Sequence, residues 1–169
     1  ASCLVGSEMC IRDSIYDTLI SAKKVTSSDV LRVIKKITWT SGTIYEMYRP
    51  DYSINKLSPQ TSATSLYSTN YYAMNSDFRV YECIYNGALP SNSGAGVISL
   101  EEPTHTDLQP RLESDGYIWK YLYTIKPSDI IKFDSAEYIP VPDDWATNTD
   151  CEDVRNAAVE GKIECVVVE

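Results

Sequence analysis

Aromatic and β-branched residues are dense over two stretches of the chain bounded by turn pairs. Phe78 to Tyr85 reads FRVYECIY and stops at Asn86-Gly87, a turn pair that ends strands. Tyr117 to Ile125 reads YIWKYLYTI and opens after Asp115-Gly116. Tyr, Trp and Ile favour extended backbone, so both stretches predict strands. Shorter strands are expected at Tyr71–Met74, Val97–Leu100, Glu137–Val141 and Ile163–Val168, and one or two between Thr38 and Arg49 around a Ser41-Gly42 turn. The period changes elsewhere. Ile15–Lys24 predicts a helix. A second is expected where Thr26 and Asp29 form a capping box ahead of Val30, Leu31, Val33, Ile34 and Ile37. Pro127 opens a third, to about Phe133, and Asp150 caps a fourth, over Cys151–Glu160 with Gly161 at its stop. Pro50–Asn70 and Ala88–Gly96 read as loops. The expected class is α+β and β-rich, with antiparallel sheets or a sandwich and a few short helices.

Successive side chains of a strand point to opposite faces. Over Tyr117–Ile125 one face then carries Tyr117, Trp119, Tyr121, Tyr123 and Ile125, and the other Ile118, Lys120, Leu122 and Thr124. Each ring buries about 150–250 Å² when covered, so this face needs a partner. Trp39, Phe78, Val80, Trp119 and Leu122 are the candidate core. Tyr117, Tyr121 and Tyr123 either complete that core or continue into a contact with another subunit.

Composition narrows the function. Of 169 residues, 15 are basic and 24 acidic, a net charge of −9. Nucleic-acid phosphates and anionic membranes both need clustered Lys and Arg, so neither is an expected partner. No run of about 18 apolar residues is present to span a bilayer. Tyr is in excess, 13 against 3 Trp and 2 Phe, a mix suited to half-buried strand faces and protein interfaces. Residues 1–14, ASCLVGSEMCIRDS, match neither period and read as translated adapter sequence; they are set aside from fold and function. Of the remaining Cys, Cys83, Cys151 and Cys165 are far apart and odd in number. They suit reduced structural thiols better than a disulfide framework or a zinc site.

Chemistry is sparse. His105 is the single histidine, in a Pro-bounded polar segment near Asp107 and Ser114, and is expected to be a solvated loop residue rather than a base. Asn148, Asp150 and Glu152 alternate as calcium ligands do. Glycine at the sixth position and Glu at the twelfth are missing, so an acid-rich helix start is the simpler reading. No GxGxxG or P-loop spacing occurs. No cofactor, metal or catalytic residue is expected.

Two strings go further. DGYIWKYLYTIKPSD at Asp115–Asp129, followed by EYIPVP at Glu137–Pro142, and FRVYECIYNG at Phe78–Gly87 resemble the baseplate wedge subunit, gene 8 product type, of T4-like contractile-tailed phages. SDVLRVIKKITW and TIYEMY at Thr43–Tyr48 lie in the same order, and the resemblance covers roughly Tyr16–Glu169. It implies a non-enzymatic structural protein of the virion, placed in the tail baseplate and assembled in the host cytoplasm. Its partners would be a second copy, as a homodimer, and other wedge proteins. Family chains are longer at both ends, so residues 15–169 would be a fragment. The competing expectation is a β-sandwich glycan- or receptor-binding module of a virion, whose aromatics stack on sugars.

Overall fold

A computed structural model describes residues 20–21, 24–48, 68–89, 96–144 and 147–157. The chain divides into two units, Ala1–Val30 and Leu31–Glu169. In the first, the capping box forms: Asp29 Oδ2 accepts from the Thr26 amide at 2.9 Å and from its hydroxyl at 2.6 Å. It closes only one 3-10 turn, Ser27–Asp29.

The second unit holds six strands and two helices among its described residues. They are β1 Arg32–Lys35, β2 Tyr72–Met74, β3 Arg79–Tyr85, β4 Arg111–Leu112, β5 Ile118–Thr124, α1 Pro127–Phe133, β6 Tyr138–Val141 and α2 Thr149–Ala157. β2-β3-β5-β4 form a four-stranded antiparallel sheet, and β1 pairs with β6 in a two-stranded one. The β-rich α+β expectation is met. β2, β3, β5, β6 and α1 fall within a residue or two of their sequence-based positions.

The helix expected after Thr26 is instead strand β1. Val33 and Ile34 are β-branched and stiff at χ1, which weakens the helix and suits a pleated ladder. The register Arg32↔Val141 to Lys35↔Tyr138 supplies that ladder from a segment more than a hundred residues away. Between Thr38 and Arg49 the expected strands reduce to two isolated bridges, Thr38↔Met74 and Thr43↔Ser99. The Ser41-Gly42 turn is present, with Gly42 at φ +85°. The expected Val97–Leu100 strand contributes only Ser99 to the second bridge. α2 begins at Thr149, so Asp150 lies inside it and not at its cap. The expectations for residues 1–14, for most of the Ile15–Lys24 helix and of the Pro50–Asn70 loop, and for the Ile163–Val168 strand lie outside the described residues.

Both faces of the four-stranded sheet are covered. One carries Ala73, Tyr81, Cys83, Trp119 and Tyr121, packed with Tyr45, Tyr117 and Val154 of α2. The other carries Tyr72, Met74, Val80, Tyr123 and Ile125, packed with Ile139 of β6. The single aromatic face expected along β5 is therefore split. Val80 pairs with Tyr123 but the next residue, Tyr81, pairs with Tyr121, so Leu122 is an extra residue in β5. Such a bulge slips the alternation by one and turns all later side chains to the opposite face.

The β2–β3 turn is held by Asn75. Its Oδ1 accepts from the amides of Asp77 (3.0 Å) and Arg79 (2.9 Å). Phe78 occupies this turn with φ +59° rather than starting the strand.

Candidate protein-interaction site

The rings proposed for a subunit contact lie inside the chain. Tyr117, Tyr121 and Tyr123 are 0, 8 and 5% exposed. The Tyr117 hydroxyl donates to the Val97 carbonyl (2.5 Å) and accepts from the Tyr45 amide (3.1 Å). The Tyr123 hydroxyl donates to the Pro140 carbonyl (3.3 Å), and Tyr121 meets the Thr124 hydroxyl at 2.7 Å. Of the two readings of these rings, core or subunit contact, their burial supports core: the bulge distributes them over both faces and each face is roofed by the chain itself. Burial raises the Tyr117 and Tyr123 phenols well above their ordinary range.

Of the expected core, Trp119 and Val80 are fully buried. Trp119 stacks on Tyr117 at 5.5 Å and 13° and meets Tyr45 edge-on at 5.3 Å. Trp39, Phe78 and Leu122 are only partly buried, packed at the margins of the two clusters. The Trp39 indole N–H donates to the Ser99 hydroxyl at 3.2 Å.

Apolar surface open to a partner lies elsewhere. A groove with a volume of about 340 Å3 runs between β1 and the second face of the large sheet, lined by Val33, Ile34, Tyr71, Tyr72, Leu122 and Tyr138, with Lys35 at its rim. The Tyr72 hydroxyl donates to the Lys35 carbonyl at 2.6 Å and ties the main sheet to β1. Three rings in series lead into it: Tyr48 and Tyr71 are 5.3 Å apart, Tyr71 and Tyr72 5.2 Å. The Tyr71 phenol is raised by burial first and by nearby Glu82 second. Val33 keeps 46% of its surface exposed and Tyr138 38%. The signal in the sequence was the adjacent pair Val33-Ile34. Read as a strand, it places an apolar residue on each face, so one must seek cover outside the local core.

His105 is a correction. The expected solvated histidine is 7% exposed, set edge-on to Tyr81 at 5.4 Å. Among the described residues neither ring nitrogen makes a hydrogen bond of good geometry, and the backbones of Asp107 and Trp119 lie beside the ring. Burial lowers its pKa against the opposing pull of Asp107.

Asp115 organises the loop below β5. Its carboxylate accepts from the amides of Leu100 (2.8 Å), Glu101 (3.0 Å) and Tyr117 (3.1 Å) and from the Ser99 hydroxyl (3.1 Å). Burial opposes its charge, but these donors outweigh that and hold its pKa below the ordinary value.

Among the described residues no group of three or more His, Cys, Asp or Glu is arranged to hold a metal ion. In the acidic stretch, Asp144 engages Lys126 and the Asn148 side chain. Cys83 and Cys151 are buried and in no disulfide. No helix among the described residues is long and apolar enough to cross a membrane. No family model, curated protein or solved structure matches the chain.

Proposed function

We propose that this chain is a structural subunit of a phage tail baseplate wedge, working through protein–protein contacts with a second copy and with other wedge proteins. The observation that carries the assembly reading is the groove beside β1: an apolar floor, a tyrosine rim and half-exposed Val33 and Tyr138. Amphipathic rings at a partly wet margin are the composition of protein interfaces. The choice of a baseplate wedge rests on the resemblance of Asp115–Asp129 and Phe78–Gly87. Both strings span the paired strands β3 and β5 with their flanking turns, and the longer one runs on into the start of α1, so the residues that carry the resemblance also carry the fold.

A glycan-binding module would use the same rings differently, stacking them on sugar faces. Light scattering on the full chain over a concentration series, beside a glycan array, separates the two. The assembly reading expects a dimer without glycan hits, and Val33→Lys should weaken association at least about tenfold while leaving the fold intact. A monomer at all concentrations, or specific glycan binding lost in Tyr138→Ala, would overturn it.

A further inference from the structure

Four consecutive residues of the segment between Glu101 and Pro110 are fastened one by one to the β2–β3 hairpin. The Ser76 amide donates to Glu102 Oε1 (2.7 Å), Asn75 Nδ2 to the Pro103 carbonyl (2.9 Å), Arg79 Nη1 to the Thr104 carbonyl (2.5 Å), and the Tyr81 hydroxyl to the His105 carbonyl (2.7 Å). The segment has no regular structure of its own, so these bonds and the His105 ring hold it down. We propose that residues 102–105 form a pH-responsive strap, closed by a neutral His105 seated against Tyr81 and released from the hairpin when that imidazole takes a proton.

The surroundings decide the sign. From β3 the ring meets Tyr81, whose phenol is pushed up to about 12, chiefly by burial, and so stays neutral. From its own segment it meets Asp107, and from β4 Arg111; the two charges oppose each other in their effect on His105 and also form a 3.5 Å ion pair. From β5 it meets the backbone of Trp119, which like that of Asp107 favours the protonated ring, yet burial outweighs both. A proton on the ring thus places a charge where the closed strap solvates it poorly, while in the opened strap water solvates it fully. The closed form is favoured above the ordinary histidine pKa of about 6.5 and loses ground as pH falls below it. Histidine is the side chain whose ordinary titration falls in this range, so mild acidification acts on the strap through His105.

The chain contains one histidine, so its imidazole Cε1–H gives one NMR signal that can be followed without assignment by mutation. The test titrates the full chain from pH 8 to 5, following that signal together with the exchange-corrected opening of the Ser76 amide. The expected result is a midpoint below about 6.5 and an opening that grows at least about threefold across the titration. His105→Phe, which keeps a flat ring but cannot protonate, is expected to abolish the pH dependence. An unshifted midpoint, or Ser76 opening that stays flat with pH in the wild-type chain, overturns the proposal whether or not the variant folds. Identical pH dependence in wild type and His105→Phe overturns it as well.

Discussion

Removing one oxygen atom tests the packing of the first face. In Tyr117→Phe the ring stays stacked on Trp119, and the deleted hydroxyl strands two groups. The Tyr45 amide loses its acceptor in a residue that is 1% exposed. The Val97 carbonyl loses its donor in a half-buried setting. A buried polar group left unsatisfied costs about 1–3 kcal/mol, with the amide near the full cost and the carbonyl near the low end. The phenylalanine is cheaper to bury than the phenol and returns part of this. The net expectation is a loss of about 2–3 kcal/mol, or roughly 5–10 °C in Tm for a chain of this length. The assay is urea unfolding of both proteins at pH 7, read by tryptophan fluorescence, with m compared so that a shift in midpoint reports stability. Tyr85→Phe is the control: its hydroxyl makes one 3.2 Å bond to the Ala88 carbonyl in a part-buried position, and its loss should cost about 1 kcal/mol or less. If Tyr117→Phe costs no more than this control, the hydroxyl does not bridge the two segments and the account of the core is wrong.

Trp119→Ala empties a fully buried site against Tyr45 and Tyr117 and should cost about 3–5 kcal/mol in the same assay; unchanged stability would refute the sheet assignment. Gly87→Ala should cost more than Gly42→Ala. Both glycines have positive φ, but a methyl at 87 meets Val97 Cγ2 at 2.7 Å while one at 42 meets nothing within 4 Å. Gly42→Ala is expected near 1 kcal/mol, and thermal melts of the pair in parallel decide the order. The depressed pKa of Asp115 makes its contribution full above the ordinary carboxylate pKa of about 3.9 and lost as pH falls through its lower folded value. Asp115→Asn should cost about 1–3 kcal/mol at pH 7 and progressively less toward pH 3, in urea melts across that range.

How much was legible depended on how local each cause was. The strands β3 and β5 follow from the β-propensity of FRVYECIY and YIWKYLYTI and from the Asn86-Gly87 and Asp115-Gly116 turns beside them, so they could be read directly. Turn chemistry is equally local. Gly42, Gly87 and Gly116 all take the positive φ that their turn positions suggested. α1 starts at Pro127 because proline suits the first helical position. Burial of Trp119 and Val80 followed from placing large apolar side chains on a covered strand face.

What tertiary structure alone decided involved choices between nearly equal local options. Thr26–Asp29 is a valid capping box, yet Val33 and Ile34 went to a strand because β6 offered a ladder that no local signal announces. The Leu122 bulge depends on the fit between β3 and β5. It sends Tyr123 and Ile125 to the face opposite Tyr121, which alternation within one strand cannot reveal. The same fit buried Tyr117, Tyr121 and Tyr123 in the core and left the apolar groove to Val33, Tyr71 and Tyr138, three residues far apart along the chain. His105 lies among polar residues in sequence and was therefore read as solvated. Its burial comes from Tyr81, Asn75 and Arg79 reaching across from another hairpin, a long-range pairing that composition does not encode.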